Sequence, residues 1–368
     1  LVGSETLNLS GTGTIASKNV GSNKTVSVGT LALADGSNGG LAANYTLSGG
    51  THQLTVNQRP LNATLSRQYD GTTTSAGSDL SSFDALQGGE TLTLSGSGTS
   101  ASANVANGIA MSSNGNLALV DGTGAASNYS LNSTVINIIQ RVLNSSGSKI
   151  YDANTNALAA DITLSNLVSG ETLNHSGTAT IGSANAGSYT ITNLSGISIA
   201  DNAGSASNYT LTGGTHGFTV NPKVVSIQGN KTYDGNTTIS SGNITSITGT
   251  VGSETLVISG GSGTVSSANA ATYASAGINE GTLTLGNGTN GGLASNYTLT
   301  GHAASSFQVT QRVLSSSGSR IYDGSTTASS SDLTLSNLVG SETLTLSGNG
   351  TLANANVGTN KSVTLNTL

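Results

Sequence analysis

The sequence predicts an all-β protein: a tandem array of small antiparallel β-sandwich-like modules, stacked end to end as an elongated rod. Short runs alternate apolar and polar residues, as Leu92 and Leu94 do between threonines, which is the two-residue period of a half-buried strand. No segment keeps the three-to-four-residue spacing of an amphipathic helix. Three short signatures also recur at nearly constant intervals, which indicates a repeat architecture.

The three signatures follow one another in a fixed order. The first is a Tyr-Asp pair, here called the YD motif, whose tyrosines lie 82, 82 and 89 residues apart. Its residues are Tyr69, Asp70, Gly71, Tyr151, Asp152, Tyr233, Asp234, Gly235, Tyr322, Asp323 and Gly324. The second is a Glu-Thr-Leu segment, whose GETL glutamates are Glu5, Glu90, Glu171, Glu254 and Glu342. The third is an Asn-Tyr-Thr/Ser-Leu segment, whose NY tyrosines are Tyr45, Tyr129, Tyr209 and Tyr297. We interpret all three as structural repeat motifs.

The junction sequences "VNQRP", "IIQRV", "VNPKV" and "VTQRV" mark the predicted module boundaries. They predict complete repeat modules at 61–142, 143–224 and 225–313, with partial modules at 1–60 and 314–368. The last twelve residues resemble residues 20–31, so we expect the chain to be a window onto a longer protein whose secretion signal, anchor and tip domain lie elsewhere.

The buried face of the chain changes at each junction. Leu54 and Val56 have even numbers, whereas Leu61, Ala63 and Leu65 have odd ones. We therefore expect the last strand of one module to pass into the first strand of the next through a bulge or kink, without a flexible linker. The only prolines stand at two of these points, Pro60 and Pro222. Such joints predict a rod.

The composition limits the possible functions. Charged residues are 8% of the chain, the net charge is −6 and cysteine is absent. So few basic groups argue against nucleic-acid binding, and stability cannot come from disulfides. No apolar run reaches the length of a membrane span. We expect a chain exported to the outside of a bacterial cell.

Each tyrosine of the chain occupies a repeat position, which suggests a structural use. We expect the YD tyrosines to be buried against the GETL strand of the same module, each with a hydroxyl reaching a backbone group as in a tyrosine corner. The alternative is a ladder of exposed rings for stacking on sugars.

A basic residue always stands two positions before the YD tyrosine. Lysine and arginine interchange there, so a Lys–Asn crosslink in every module is excluded. We expect these side chains to pack over a strand and pair with a carboxylate such as the GETL glutamate, with binding of an anionic polymer as the alternative. The four are Arg67, Lys149, Lys231 and Arg320.

Candidates for catalysis, cofactor binding or metal binding are weak, and we predict no site of these kinds. No histidine recurs with a serine or carboxylate partner; the four are His52, His175, His216 and His302. One carboxylate per loop is a weak calcium ligand set, so Asp35, Asp121 and Asp201 are interpreted as turn residues. Glycosylation sequons occur before each NY tyrosine and permit glycosylation without arguing for it; they begin at Asn44, Asn128, Asn208 and Asn296.

"YDGTTTS", "GGETLTLSGSGT", "VGSNKTVSV" and "NYTLSGGTHQLTV", in this order, resemble the YDG and MBG-type repeat modules of large bacterial surface adhesins, including filamentous-haemagglutinin-like and two-partner-secreted proteins. The resemblance covers essentially the whole chain. Ala153 departs from it by replacing the glycine of the YD motif, which predicts that this turn needs no left-handed glycine.

The resemblance implies an extracellular adhesin or biofilm-matrix fibre, and the residues themselves indicate a β-rod of low charge. We expect a structural stalk or filament that projects or links adhesive domains, without enzymatic activity. The alternative is repeated weak polysaccharide-binding modules acting by avidity. Expected partners are extracellular polysaccharide or like chains on neighbouring cells, with no nucleic acid and no membrane span in this segment.

Overall fold

A computed structural model describes all 368 residues, and the fold is all-β with repeated small sheets, as predicted. The helical segments are three-residue 3₁₀ turns at Ala42–Asn44, Gly77–Asp79, Ala126–Asn128, Ala159–Asp161, Ala206–Asn208, Ser241–Asn243, Ser275–Gly277, Ala294–Asn296 and Ser330–Asp332. None has the length or apolar character to cross a bilayer as a helix.

The strands are given in chain order, and β6 crosses the predicted boundary between residues 60 and 61. Residues 1–60 hold β1 (Leu7–Ser10), β2 (Thr14–Ile15), β3 (Gly21–Ser27), β4 (Ala32–Asp35), β5 (Gln53–Val56) and the start of β6 (Arg59–Gln68). The next module continues with β7 (Thr74–Ala76), β8 (Leu80–Phe83), β9 (Leu92–Ser95), β10 (Ser97–Ser100), β11 (Ala106–Ser113), β12 (Ala118–Asp121) and β13 (Tyr129–Ile139). Then come β14 (Arg141–Val142), β15 (Asn144–Ile150), β16 (Asn156–Leu158), β17 (Ile162–Ser165), β18 (Asn174–Ile181), β19 (Gly187–Asn193), β20 (Ile197–Ala200), β21 (Tyr209–Thr210) and β22 (His216–Asn221).

The remaining strands repeat the same order. Residues 223–310 hold β23 (Lys223–Val224), β24 (Ser226–Thr232), β25 (Thr238–Ser240), β26 (Ile244–Thr248), β27 (Leu256–Gly260), β28 (Ser262–Val265), β29 (Ala271–Ala274), β30 (Ile278–Asn279), β31 (Thr284–Asn287), β32 (Tyr297–Thr298) and β33 (Ser306–Thr310). The last are β34 (Ser315–Gly318), β35 (Thr327–Ser329), β36 (Leu333–Ser336), β37 (Asn349–Leu352) and β38 (Val363–Leu365).

Contacts within the chain divide it into two units, which are described separately. The first unit comprises Leu1–Ser145, Leu164–Ser176 and Ser198–Thr215. The second comprises Ser146–Thr163, Gly177–Ile197 and His216–Leu368.

The first unit is built around a six-stranded sheet in the order β7-β10-β11-β13-β6-β8, beside the two-stranded pair β9–β12. The alternation in β6 buries Leu61, Ala63 and Leu65, as the odd-numbered apolar pattern predicts. Its main core cluster consists of Ala63, Leu65, Tyr69, Leu94, Ile136, Ile138, Leu143, Leu173 and Tyr209. Two tyrosines therefore belong to the core itself.

The second unit repeats these sheets. Its largest sheet after His216 has the order β26-β24-β33-β29, beside the pair β27–β31. The buried apolar side chains in this region include Val225, Ile227, Ile239, Tyr297, Phe307 and Val309.

Sheet pairing is mixed, whereas the sequence suggested antiparallel pairs throughout. The first and last strands of a module run parallel: β6 pairs with β13 from Arg59↔Tyr129 to Gln68↔Ile139, and β24 pairs with β33. Parallel pairing is possible because a whole module connects these two strands, so no tight hairpin joins them.

The junction after β13 carries the expected change of buried face, whereas at the first junction Leu54, expected to be buried, is 50% exposed. In β13 the buried side chains are Thr134, Ile136 and Ile138, and beyond it they are Leu143 and Ser145. A single residue interrupts the strands at this point, Gln140 here and Pro222 between β22 and β23. One module's last strand thus leads into the next module's first strand with no flexible linker.

Candidate functional site at the module junctions

The end of each module's first strand places the YD tyrosine. In the first unit, the backbone N–H of Tyr69 donates to the carbonyl of Ile139 at 2.9 Å, which fixes the tyrosine beside the end of β13. Tyr69 is 4% exposed. The hydroxyl donates to Glu171 Oε1 at 2.5 Å, and Glu171 is the GETL glutamate of the following module.

The same carboxylate holds a second tyrosine. Tyr209, the NY tyrosine of Glu171's own module, donates its hydroxyl to Glu171 Oε2 at 2.5 Å. The rings of Tyr69 and Tyr209 meet edge to face, with centroids 5.4 Å apart and planes at 80°, a favourable geometry for aromatic pairs. We call this arrangement of a YD tyrosine, the next module's GETL glutamate and its NY tyrosine the tyrosine–glutamate bracket.

A second bracket lies in the second unit, with nearly the same geometry. Tyr151 donates to Glu254 Oε1 at 2.7 Å, and Tyr297 donates to Glu254 Oε2 at 2.6 Å. The two rings are 5.3 Å apart at 77°. Recurrence of one geometry in both units indicates that the repeated sequence motifs encode this joint.

The NY hydroxyl also accepts a hydrogen bond from the backbone. The amide three residues before the glutamate donates to it, from Val168 to Tyr209 at 3.1 Å and from Val251 to Tyr297 at 2.9 Å. Each of these hydroxyls therefore has both a donor and an acceptor partner, so neither tyrosine is buried with an unsatisfied polar group.

The bracket raises the pKa of its tyrosines. Burial, followed by the hydrogen bond to the glutamate, raises the pKa of Tyr151, Tyr209 and Tyr297 to about 12. Both effects disfavour a phenolate, since burial removes water and the carboxylate repels a second negative charge. The tyrosines are held in the neutral, donating form.

These contacts correct one expectation. The YD tyrosines were expected to contact the GETL strand of their own module, but Tyr69, Tyr151 and Tyr233 all bond the glutamate of the next module. The hydroxyl partner is also a carboxylate and not a backbone group. Burial holds for Tyr69 and Tyr151, whereas Tyr322 is 63% exposed.

The other GETL glutamates have a single tyrosine partner. Tyr233 donates to Glu342 and Tyr45 donates to Glu5. Glu90 accepts from Tyr129 at 2.5 Å and also pairs with the Lys18 ammonium at 3.0 Å.

A second tether runs in the opposite direction and was not predicted. The asparagine before the NY tyrosine reaches back to a loop of the preceding module: Asn208 Oδ1 accepts from the Val105 amide at 2.9 Å, and its Nδ2 donates to Asn104 Oδ1 at 3.0 Å. Asn296 makes the same pair of bonds to Ala186 and Asn185, at 2.8 and 3.0 Å. Asn208 and Asn296 are fully buried, so neither sequon can be glycosylated in the folded chain.

The basic residue before the YD motif closes the loop that follows it. Lys149 Nζ lies 2.8 Å from Asp152 Oδ1 and donates to the carbonyls of Asn154 and Asn156, both at 2.8 Å. Lys231 makes the equivalent contacts with Asp234, Asn236 and Thr238, at 2.9, 2.7 and 2.9 Å. Oxygen atoms of the loop thus surround the ammonium.

Burial of Asp152 works to raise its pKa, but the Lys149 ammonium and the Asn154 amide outweigh it and hold the pKa below its usual value. Arg67 pairs with Asp70 and Arg320 with Asp323 in the same way. These cations thus pair with a carboxylate as expected, but the partner is the YD aspartate three residues away and not the GETL glutamate. Lysine occurs with asparagine five residues later, whereas arginine occurs with threonine or serine there.

The residue after the YD aspartate takes a left-handed conformation in every complete motif. Gly71 has φ +79° and Gly235 also has φ +79°. A Cβ at either would come within 2.9 Å of a valine of the next module, Val168 or Val339. Ala153 has φ +64°, so this turn stays left-handed without a glycine, and alanine there is strained.

The acidic loop residues act as turn caps. Asp35, Asp121 and Asp201 each accept from a backbone amide of the following 3₁₀ turn, at 2.7 to 2.8 Å. No group of three or more metal-binding side chains is present. Among the histidines, His302 Nε2 lies 2.8 Å from Glu280 Oε1.

Comparison with known proteins gives one match. The family model for the YDG domain matches five times, over residues 1–53, 51–136, 140–216, 219–306 and 308–368. A search of curated proteins and a search of solved structures each found no match.

Proposed function

Because the chain consists of YDG domains along almost its whole length and so belongs to the YDG domain family, we propose that it forms the structural stalk of an extracellular bacterial adhesin or biofilm-matrix protein. In this role its repeats set the distance between the cell and an adhesive domain, or link such domains in a filament. The proposed role is not enzymatic.

The tyrosine–glutamate bracket carries the proposal. Tyr69 belongs to one module, and Glu171 and Tyr209 belong to the next, yet all three pack in one core cluster or bond directly to it. Charge-assisted hydrogen bonds and an edge-to-face ring pair restrict rotation far more than a Gly/Ser linker does. A series of such joints suits a spacer that has to hold two domains at a fixed distance.

Three further features support export. Cysteine is absent, so folding needs no particular redox environment. The four basic residues before the YD motifs are bonded within their loops, which makes these four positions less accessible to trypsin-like proteases. The low charge leaves no basic surface for nucleic acid.

The polysaccharide-binding alternative finds less support. Sugar stacking needs accessible aromatic faces, but Tyr69 and Tyr151 are buried in brackets. Tyr322 is the exposed exception.

The proposal is tested on intact cells of the bacterium that encodes the chain. Antibodies raised against the folded chain should label unpermeabilised cells or their extracellular matrix, and deleting the repeats should reduce surface attachment. Labelling that appears only after permeabilisation would contradict the extracellular role.

A further inference from the structure

Two of the loops that carry the YD motif, here called YD loops, place a lysine amine beside an asparagine amide. Lys149 Nζ lies 2.9 Å from Asn154 Oδ1, and Lys231 Nζ lies 3.0 Å from Asn236 Oδ1. Both lysines are shielded from water, since their side chains are 8% and 5% exposed. The YD loops that begin with arginine have a hydroxyl residue at the asparagine position. The two reactive groups therefore occur together in the same loops.

The aspartate of the YD motif bridges the two groups. Asp152 Oδ1 lies 2.8 Å from Lys149 Nζ, and Asp152 Oδ2 accepts from Asn154 Nδ2 at 2.8 Å. The carboxylate thus contacts both the nitrogen that would attack the amide and the nitrogen that would leave it, as a group that carries a proton between them must. Asp234 holds the same place in the second loop, 2.9 Å from its lysine Nζ and hydrogen-bonded to its asparagine side chain.

The backbone provides a donor to the amide oxygen in both loops. The Asn156 amide donates to Asn154 Oδ1 at 2.9 Å, and the Thr238 amide donates to Asn236 Oδ1 at 2.9 Å. When an amine adds to an amide carbon, negative charge develops on this oxygen, and an N–H that is already in place stabilises it. Each loop therefore holds a nucleophile, a proton carrier and an oxyanion donor around one amide.

We propose that Lys149 and Lys231 form isopeptide crosslinks with Asn154 and Asn236. One proton passes from Nζ to the aspartate, and the free amine attacks the asparagine Cγ. The Nζ–Cγ bond forms and the Cγ–Nδ2 bond breaks, while the aspartate gives its proton to Nδ2. The ammonia so formed takes a second proton from Nζ and leaves as ammonium, so the reaction consumes no other reactant.

The attack requires Nζ above the plane of the amide. The torsion about the Cβ–Cγ bond of asparagine is broad, so a rotation of the side chain presents the amide face to the lysine. The contacts described above are those of the loop before reaction.

The arginine loops are internal controls. Arg67 and Arg320 pair with their YD aspartates as the lysines do, but a guanidinium is not a nucleophilic amine. Thr72 and Ser325 occupy the asparagine position in these loops and offer no amide carbon. No crosslink forms there.

Each crosslink would close a covalent ring around a tyrosine of the joint. Residues 149–154 include Tyr151, and residues 231–236 include Tyr233. A closed ring keeps the loop from opening when the chain is pulled. The inference rests on the chemistry of the loops and not on the stalk role.

The test is the intact mass of the full chain by mass spectrometry. Two crosslinks release two ammonia molecules, so the chain should be lighter than its sequence mass by about 34 Da. Lys231→Arg should halve this loss to about 17 Da, and so should Asp234→Ala, which keeps lysine and asparagine but removes the proton carrier. Tryptic digestion should leave the bonds after Lys149 and Lys231 uncut and place the losses within residues 149–154 and 231–236.

Arg67→Lys combined with Thr72→Asn gives the first YD loop the lysine, aspartate and asparagine of the loop at Lys231. This double variant should lose about 17 Da more than the wild-type chain, whereas Thr72→Asn alone should not. It keeps the test valid if Asp234→Ala folds poorly.

A cyclic imide formed at asparagine also releases ammonia, but hydroxylamine opens an imide and leaves an isopeptide intact. A wild-type chain at its full sequence mass, a loss unchanged by Lys231→Arg, a loss removed by hydroxylamine, or no further loss in the double variant would each overturn the proposal.

Discussion

Tyr69 donates a hydrogen bond to Glu171, which lies 102 residues further along the chain, at 2.5 Å. The donor follows the first strand of one module, and the acceptor lies in the GETL segment of the next. The two motifs that recur most regularly in the sequence are thus two halves of one joint, and its third member is Tyr209.

Neutralising a bracket glutamate should destabilise the protein. In Glu171→Gln the carboxylate that accepts from two buried hydroxyls is replaced by an amide, which presents a donor to one of them. We expect a loss of about 2 kcal/mol, since hydrogen bonds to charged groups contribute more than neutral ones. The measurement is the urea midpoint by circular dichroism at pH 7.

Glu5→Gln is the matched control, because Glu5 accepts from Tyr45 alone. Its midpoint should shift by less than half as much. An equal shift for the two variants would show that the second tyrosine adds nothing.

Alkaline pH should open the brackets. The pKa of Tyr151, Tyr209 and Tyr297 is raised to about 12, above the ordinary value of about 10. Because the folded value is the higher one, this stabilisation is complete below about pH 10 and is lost as pH rises through about 12. Phenolate absorbance should show a late-titrating group of tyrosines, reduced by one in Tyr209→Phe. Titration of all tyrosines near pH 10 in the folded chain would contradict the bracket.

The basic residue before the YD motif and the residue five positions after it should tolerate exchange between the Lys/Asn and Arg/Thr combinations only when both change together. Lys231 fits among Asp234, Asn236 and Thr238 as a compact ammonium, 5% exposed. Lys231→Arg places a larger planar group among these oxygens. It should lower the free energy of unfolding by about 1–2 kcal/mol.

Adding Asn236→Thr to Lys231→Arg reproduces the Arg/Thr combination of Arg67 and Thr72, and should restore at least half of the loss in thermal midpoint. Lys18→Arg is the control, since the Lys18 side chain is largely exposed. A double variant no more stable than Lys231→Arg would refute the pairing.

Ala153→Gly should stabilise the chain. The left-handed φ of +64° costs alanine about 1 kcal/mol, which glycine avoids. The net gain should be smaller, at most about 1 kcal/mol, because glycine also loses more backbone entropy on folding. Thermal unfolding would measure it, with Ala118→Gly in an exposed strand as a control that should destabilise. Destabilisation by Ala153→Gly would show that the alanine methyl makes a compensating contact.

The sequence predicts the alternating strands well because alternation is local, although Leu54, expected on a buried face, is 50% exposed. Leu61, Ala63 and Leu65 are buried as their odd numbering predicts. The parallel pairing of β6 with β13 was not predicted, since alternation shows which face of a strand is buried but not the direction of its neighbour.

The partners of the joint could not be read from the repeats. Glu90 and Glu171 stand in nearly identical segments, so nothing local shows that Tyr69 bonds the second and not the first. The role of Asn208 was hidden for a related reason, because asparagine is common throughout this chain and its burial depends on a loop of the preceding module. The left-handed φ of Ala153 could not be read from its sequence, since alanine by itself disfavours that region.

Small-angle scattering on the full chain, compared with the Glu171→Gln, Glu254→Gln double variant, tests most directly whether brackets make consecutive modules a stiff array. With strands rising about 3.3 Å per residue, the sequence predicts a maximum dimension well beyond about 100 Å, with cross-section scattering typical of a rod. The double variant should show a broader distribution of distances at unchanged secondary structure. A particle near the roughly 20 Å radius of gyration of one globule of this length, or identical scattering from the wild-type chain and the double variant, would contradict the account.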